Sequence, residues 1–169
     1  FRHTYFKIAI QRISRESLPA LPKDVVLIQD CSASMSEQRM YFCREGLLKC
    51  LGRLGSEDRF DIISFKDQSN SCFGEWVSPS PDNLEKAKAF IEKLQAGGNT
   101  DVFSSLKPLV EKKRIAGRPT IAVMVTDGFS TTGLTKSSEI IGEFSKLNDG
   151  AISVFTAGTI QTANSYLLD

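Results

Sequence analysis

Two aspartates, each placed directly after a short apolar run, are the residues of this chain best suited to metal chemistry. Asp30 follows the run VVLIQ and is separated by single residues from Ser32 and then Ser34, and Asp127 follows the run IAVMVT. Short apolar runs bounded by turn residues are typical of buried parallel strands. Because ligand-binding groups in open α/β sheets gather beyond the carboxyl ends of such strands, we expect these side chains to share one cleft.

A third loop can add another neutral oxygen to this set. Thr100 follows Gly97-Gly98-Asn99 in a loop that leads into a predicted helix. Two carboxylates and three hydroxyls are hard ligands, and no histidine or thiolate pair accompanies them. The set therefore favours Mg²⁺ or Mn²⁺, with Ca²⁺ a less favoured alternative and Zn²⁺ disfavoured. Five donors are too few to close an octahedral shell around Mg²⁺, which commonly keeps waters and accepts ligands from a partner.

Each part of this pattern also has an ordinary structural explanation. Aspartate and serine are common in turns and at helix N-caps, and Asp127-Gly128 is a frequent turn dipeptide. A threonine after two glycines is weaker evidence still. The joint occurrence of the three parts, each at the end of a suitable element, favours the metal site over these separate explanations.

Composition sets the size and class of the protein. The 169 residues are 41% hydrophobic and 24% charged, with a formal net charge of +1, which is typical of one globular domain with a single core. The near-neutral charge, without a basic stripe, gives no support to nucleic-acid binding. No apolar stretch approaches the roughly 18–20 residues that span a bilayer, so we expect no direct membrane insertion.

The elements that must position the candidate ligands follow from hydrophobic periodicity and turn residues. Buried strands alternating with amphipathic helices predict an α/β fold: a Rossmann-like, doubly wound, mostly parallel sheet with helices on both faces. One short antiparallel edge strand is expected in it. We predict strands at 25–30, 59–66, 72–77 (the edge strand), 120–126 and 152–156, and helices at about 37–54, 81–95, 102–113 and 137–147. In the first helix, an apolar stripe of Tyr41, Leu47, Leu48, Leu51 and Leu54 and a C-cap at Gly55 are expected.

The chain divides into two parts. Residues 1–22 are predicted to form an added strand, at about residues 5–13, and an extended proline-bearing connector, which could be the tail of a preceding domain. Residues 23–169 form the main domain. Since the chain starts without Met and stops within a pattern, we expect a domain taken from a longer protein, with its last helix cut short after Asp169.

The four cysteines show no CxxC spacing and have no partner histidines. Cys43 and Cys50 lie seven residues apart on a predicted helix, a separation that disfavours a disulfide. We therefore expect small buried side chains at Cys31, Cys43, Cys50 and Cys72 rather than disulfides or metal ligands. Cysteine usage does not identify the compartment or the redox state.

From about Lys23 onward the chain resembles a von Willebrand factor type A domain. The segments DCSASM at 30–35, GGNTD at 97–101 and TDG at 126–128 are similar to the three metal-binding segments of that family. The segments DRFDIISF at 58–65 and SPDNLEKAKAFIEKLQAGGNTD at 80–101 resemble the inter-alpha-trypsin-inhibitor heavy-chain type and its bacterial relatives. The resemblance implies the Rossmann-like fold predicted above.

The resemblance also implies a metal-ion-dependent adhesion site. In such a site Ser32, Ser34 and Thr100 coordinate the ion directly, and Asp30 and Asp127 do so directly or through water. A glutamate or aspartate of a protein partner fills the open position. In the family, small glycine-like residues are often found between the ligands, and since Cys31 and Ala33 are also small, we expect the loop to tolerate them. The family also favours an extracytoplasmic or cell-envelope location.

Two other functions remain open at this stage. A magnesium-dependent phosphatase of the haloacid-dehalogenase kind would place a second aspartate at the position of Ser32, and serine offers no comparable base. The only histidine is His3, outside the predicted core, so a histidine-activated nucleophile is not expected near the cleft. A scaffold module of a chelatase or ATPase-associated assembly would share the same metal chemistry. We expect a non-enzymatic binding module.

Overall fold

The computed structural model describes residues 21–159 and 162–168. The predicted strand at residues 5–13, most of the predicted connector and His3 lie outside this range. The described elements are, in chain order, β1 (Asp24–Asp30), α1 (Glu37–Leu51), β2 (Arg59–Phe65), β3 (Ser69–Ser71), α2 (Pro81–Glu92), α3 (Val102–Glu111), β4 (Thr120–Thr126), α4 (Ser137–Asn148), β5 (Ile152–Gly158) and α5 (Ser165–Leu168).

The strands form one sheet in the order β3-β2-β1-β4-β5. β1 lies at its centre and pairs in parallel with β2 and β4, β4 pairs in parallel with β5, and only β3 is antiparallel. Register places Asp30 opposite Phe65 of β2 and Gln29 opposite Val125 of β4. The carboxyl ends of β1, β2 and β4 therefore meet at one edge of the sheet, and the predicted fold class is confirmed.

The sheet carries one apolar core on each face. Side chains alternate along β1, so that Leu27 packs with α1 and α2 while Val26 and Ile28 pack with α3 and α4. The first core is closed by Met40, Leu47 and Leu51 of α1 and Ala87 and Ile91 of α2. This two-sided burial explains why the strand sequences are continuous apolar runs.

The first helix is shorter than expected. α1 ends at Leu51 with Gly52 as its C-cap, so the predicted end at Leu54 with a cap at Gly55 was wrong. The backbone N–H of Gly55 instead donates to the carboxylate of Asp58. The expected apolar stripe was also wrong at Tyr41, whose ring is 56% exposed while Met40 is fully buried in its place.

The edge strand was placed wrongly by the sequence pattern. The antiparallel strand is Ser69–Ser71, whereas within 72–77 only Val77 makes an isolated bridge, to Phe60. A tight turn after β2, in which Lys66 N–H donates to the carbonyl of Gln68, folds the chain back at once. Gly74 then adopts φ +75 and turns the chain away from the sheet, which ends the pairing.

The remaining boundaries shift by a few residues. α2 ends at Glu92 and α3 at Glu111, earlier than the predicted ends at 95 and 113. α4 and β5 run slightly further than predicted, to Asn148 and Gly158. α3 stops where Lys112 takes an extended backbone and its amino group reaches the buried carboxylate of Asp61, 2.5 Å away.

The cysteines differ from the expectation of burial. Cys31 is buried, Cys43 and Cys72 are half-buried, and Cys50 is exposed, so the expectation was wrong for Cys50. None of the four forms a disulfide within the described residues. Burial raises the pKa of the Cys31 thiol to about 12, which favours the protonated thiol at neutral pH.

Across the described residues, no helix has both the length and the apolar character needed to cross a bilayer.

Candidate metal centre

Asp30 and Asp127 lie at the carboxyl ends of two neighbouring strands. Asp30 is the last residue of β1 and Asp127 immediately follows β4. Because Gln29 pairs with Val125, the next residues along the two strands, Asp30 and Thr126, lie side by side. Both aspartates are buried, with 0% and 3% of their surface exposed. The fold therefore holds two carboxylates at the centre of one sheet edge.

The carboxylate of Asp30 is oriented by hydrogen bonds at both oxygens. Oδ1 accepts from the backbone N–H of Ser32 at 2.8 Å, and Oδ2 accepts from the hydroxyl of Thr126 at 2.6 Å. Burial raises the pKa of this carboxyl group, the two hydrogen bonds oppose the rise, and the negative charge of Asp127 adds to it. A positive charge at this place would relieve both the burial and the repulsion.

Ser32 and Ser34 lie on the short loop between β1 and α1. Their hydroxyl oxygens are 3.0 Å apart; Ser32 is buried, whereas Ser34 is exposed. The loop ends where Ser36 caps α1 by accepting a hydrogen bond from the N–H of Arg39. The guanidinium of Arg39 also donates to the carbonyl of Ser34 at 2.7 Å. The alternate serines thus present two hydroxyls together beside Asp30.

The glycine loop before α3 is attached directly to the β1 loop. Gly97 N–H donates to the carbonyl of Cys31 at 3.0 Å, and Ala33 N–H donates to the carbonyl of Gly98 at 3.0 Å. We call this pair of hydrogen bonds the loop clasp. Gly98 has φ +78, and a Cβ added there would lie 2.7 Å from Asp67 Oδ2, so any other residue would be strained and would displace that carboxylate.

Thr100 is buried and is held mainly through its backbone. Its N–H donates to the hydroxyl of Thr131, and its carbonyl accepts from the N–H groups of Thr131 and Thr132 and from the hydroxyl of Ser130. Among the described residues, the hydroxyl of Thr100 itself is not used in these bonds. Asp101, the next residue, caps α3 through the N–H of Ser104 at 3.0 Å.

The loop after β4 is ordered by the same threonine that touches Asp30. The hydroxyl of Thr126 accepts from the N–H of Gly128 at 3.0 Å, and Asp127 Oδ1 accepts from the N–H of Phe129 at 3.2 Å. Gly128 has φ +77, which favours glycine and sets the direction of the loop. The sequence did not lead us to expect a role for Thr126 at the site. A polar residue that ends an apolar strand and precedes an aspartate could have indicated that role.

The donor set fits a hard divalent cation. Asp30 and Asp127 make no ion pair with a lysine or arginine among the described residues, although both are buried. The same part of the chain contains no group of three or more histidine, cysteine, aspartate or glutamate side chains arranged for a metal. Two uncompensated carboxylates beside hydroxyls therefore form an oxygen donor set suited to a divalent cation.

A family comparison agrees with the fold and the loop pattern. The family model described as von Willebrand factor type A domain matches residues 23–168. The chain belongs to this family. Among curated proteins it is 32% identical over 147 residues to inter-alpha-trypsin inhibitor heavy chain H4 of Sus scrofa, and 30% identical over 151 residues to the H4 chain of Homo sapiens. These matches cover 82% and 85% of this chain but 16% of each relative.

Solved structures show the same fold at low sequence identity. A von Willebrand factor type A protein of Catenulispora acidiphila has a TM-score of 0.73 and 19% identity, covering 82% of this chain and 33% of that one. Proximal thread matrix protein 1 of the mussel byssus, in a form described as having a zinc-occupied MIDAS motif, has a TM-score of 0.64 and 17% identity. That match covers 88% of this chain and 41% of the mussel chain.

Proposed function

We propose that this von Willebrand factor type A domain is a metal-dependent protein-binding module. The observation that supports it is the pair of buried carboxylates, Asp30 and Asp127, which lack a cationic partner among the described residues and lie beside two hydroxyls 3.0 Å apart. Family membership and the mussel structure with an occupied MIDAS motif support the same function.

Each candidate ligand has a separate role in the proposal. Asp30 and Asp127 would balance the charge of one Mg²⁺ or Mn²⁺, while Ser32, Ser34 and Thr100 add oxygens without charge. A cation bound in this way supplies a Lewis-acidic position that attracts a further carboxylate. Ser34 is the exposed member of the set, so its side is the one open to an incoming ligand.

The proposed ligand is an aspartate or glutamate on a protein partner. A carboxylate is the hard anionic donor that a half-filled Mg²⁺ or Mn²⁺ shell prefers. Phe129, 47% exposed and fixed by its N–H bond to Asp127, offers an apolar contact next to that position. The family resemblance supports an extracytoplasmic or cell-envelope setting for such binding, and this location is part of the proposal.

The phosphatase alternative receives no support from the geometry. Ser32 lies where that mechanism needs a second acidic group, and its hydroxyl is paired with the hydroxyl of Ser34. The thiol of Cys31 next to it is buried and protonated. We therefore propose that the domain is not an enzyme and expect no release of phosphate from a generic ester in Mg²⁺.

Calorimetric titration of the metal-stripped protein with Mg²⁺ tests the proposal. We expect one site in the wild type, no site in Asp30→Asn or Asp127→Asn, and weakened binding in Ser34→Ala. Asp82→Asn, which removes an exposed carboxylate from the first turn of α2, is the matched control and should bind as the wild type does. Circular dichroism shows whether each variant is folded. Equal binding by the wild type and both aspartate variants would refute the site, and magnesium-dependent phosphate release lost in Asp30→Asn would indicate a phosphatase.

A further inference from the structure

A cleft lined by two lysines and by the apolar side chains of Phe90 and Leu94 opens beside the candidate metal centre on the β2 side. It has a volume of about 340 Å³, and its walls include Cys31, Lys66, Asn70, Lys93 and Gln95. Cys31 is the residue between Asp30 and Ser32, so the cleft borders the end of β1 and the following loop, which together carry three of the five candidate ligands. None of the cleft's lining residues is an aspartate or glutamate.

Lys66 is placed next to the centre by strand register. Asp30 pairs with Phe65, so Lys66 is the first residue beyond the sheet on the neighbouring strand. Cys31 N–H donates to the carbonyl of Phe65 at 2.8 Å and fixes the two loops side by side. The amino group of Lys66 lies 3.8 Å from the position that a Cβ on Gly97 would occupy, so it rests against the glycine loop.

The two lysines of the cleft have unused charge. Neither Lys66 nor Lys93 forms an ion pair with another described residue. Lys23, by contrast, pairs with the buried carboxylate of Asp58. The acidic residue nearest in sequence, Asp67, accepts hydrogen bonds from the N–H and the side-chain amide of Asn99 and does not line the cleft. Lys66 is half-buried and Lys93 is exposed.

We propose that this lysine cleft is a second carboxylate subsite and that the partner presents two acidic side chains. This inference rests on the proposed function, in which the first acidic side chain binds the metal. The second side chain would enter the cleft and pair with Lys66 and Lys93, with Asn70 and Gln95 as amide donors. Neighbouring strands are about 4.8 Å apart, so the two acidic residues belong to one short segment of the partner.

Synthetic peptides provide a direct test with defined probes. One glycine-serine peptide contains a single aspartate, and its companions add a glutamate two, three or four residues further along, which spans about 7–14 Å of extended chain. Binding is followed by NMR titration of the whole domain at saturating Mg²⁺, and repeated after the metal is removed with chelator. The same titrations use Lys66→Gln/Lys93→Gln and the control Lys86→Gln/Lys88→Gln, which removes two exposed charges from α2.

We expect the best two-acid peptide to bind roughly three- to fivefold more tightly than the one-acid peptide, as weak ion pairs at a partly exposed site allow. That ratio should fall to about one in the cleft variant and remain in the control variant. A ratio that persists without Lys66 and Lys93, or that is one in the wild type, refutes the second subsite and leaves the metal-binding function intact. Peptide binding that is absent, or unchanged by chelator, refutes the proposed function and this inference with it.

Discussion

The hydroxyl of Thr126 joins β4 to β1 by donating to Asp30 Oδ2 at 2.6 Å. The same oxygen accepts from the N–H of Gly128, so one buried side chain orients a candidate metal ligand and the loop that carries Asp127. Thr126 is not itself in the proposed ligand set. Groups in this position around metal sites commonly fix the orientation and basicity of the ligands they touch.

Replacing Thr126 with valine should weaken metal binding, although none of the five proposed ligands is changed. The variant loses a hydrogen bond that lowers the pKa of Asp30, so protons compete better with the cation. We expect a roughly tenfold loss of Mg²⁺ affinity in calorimetric titration, larger at acidic pH. Thr126→Ser keeps the hydroxyl and should retain most of the affinity. Equal losses in the serine and valine variants would show that packing, not the hydrogen bond, matters here.

Gly98→Ala should weaken metal binding by more than its loss of folding stability accounts for. Both Gly98 and Gly117 have positive φ, at +78 and +77, but an added Cβ meets Asp67 Oδ2 at 2.7 Å only at Gly98; at Gly117 it meets nothing within 4 Å. Each alanine should cost roughly 1–2 kcal/mol of unfolding free energy from backbone strain. Only Gly98→Ala should also reduce Mg²⁺ affinity, because it disturbs the loop clasp. Chemical denaturation and metal titration of both variants separate the two effects.

Asp58 should contribute a pH-dependent part of the stability. Burial alone would raise the pKa of its carboxyl group, but hydrogen bonds from the Lys23 side chain and from the N–H groups of Gly55 and Lys23 outweigh it and lower the pKa. Since the folded pKa lies below the unfolded value near 3.9, this contribution is fully present above that value. It is lost as the pH falls through the folded pKa.

Denaturation of Asp58→Asn at several pH values checks this sign. We expect a loss of about 2 kcal/mol near neutral pH, from the charge-assisted hydrogen bonds, and convergence with the wild type in strong acid. Glu57→Gln, which changes an exposed neighbouring carboxylate, should show no comparable pH-dependent loss. A constant difference between Asp58→Asn and the wild type at every pH would contradict the assignment.

Elements with strong hydrophobic patterns were predictable from the sequence. The continuous apolar runs before Asp30 and Asp127 indicated buried strands, and the structure covers both faces of these strands with helices. The structure brings all five candidate ligands to three adjacent loops at one edge, as the spacing predicted. Their role as metal ligands remains a prediction.

Features set by pairing between distant residues were not predictable. β3 consists of Ser69-Asn70-Ser71, a sequence with weak strand propensity. It forms because the preceding turn closes and because the hydroxyl of Ser71 donates to buried Asp61 at 2.5 Å. The role of Thr126 depends on the register of β4 against β1, which no local pattern contains. The early end of α1 goes with a hydrogen bond from the N–H of Gly55 to Asp58, which lies seven residues beyond the last helical residue, Leu51.

The loop clasp between the β1 loop and the glycine loop has a thermodynamic consequence. Both of its hydrogen bonds, from Gly97 to Cys31 and from Ala33 to Gly98, join backbone atoms of the two loops. These bonds restrain both loops without using any side chain, so in the proposed site less conformational entropy would be lost on ion binding. Under the proposed function, the concentration of free divalent cation around the domain would then control partner capture by mass action.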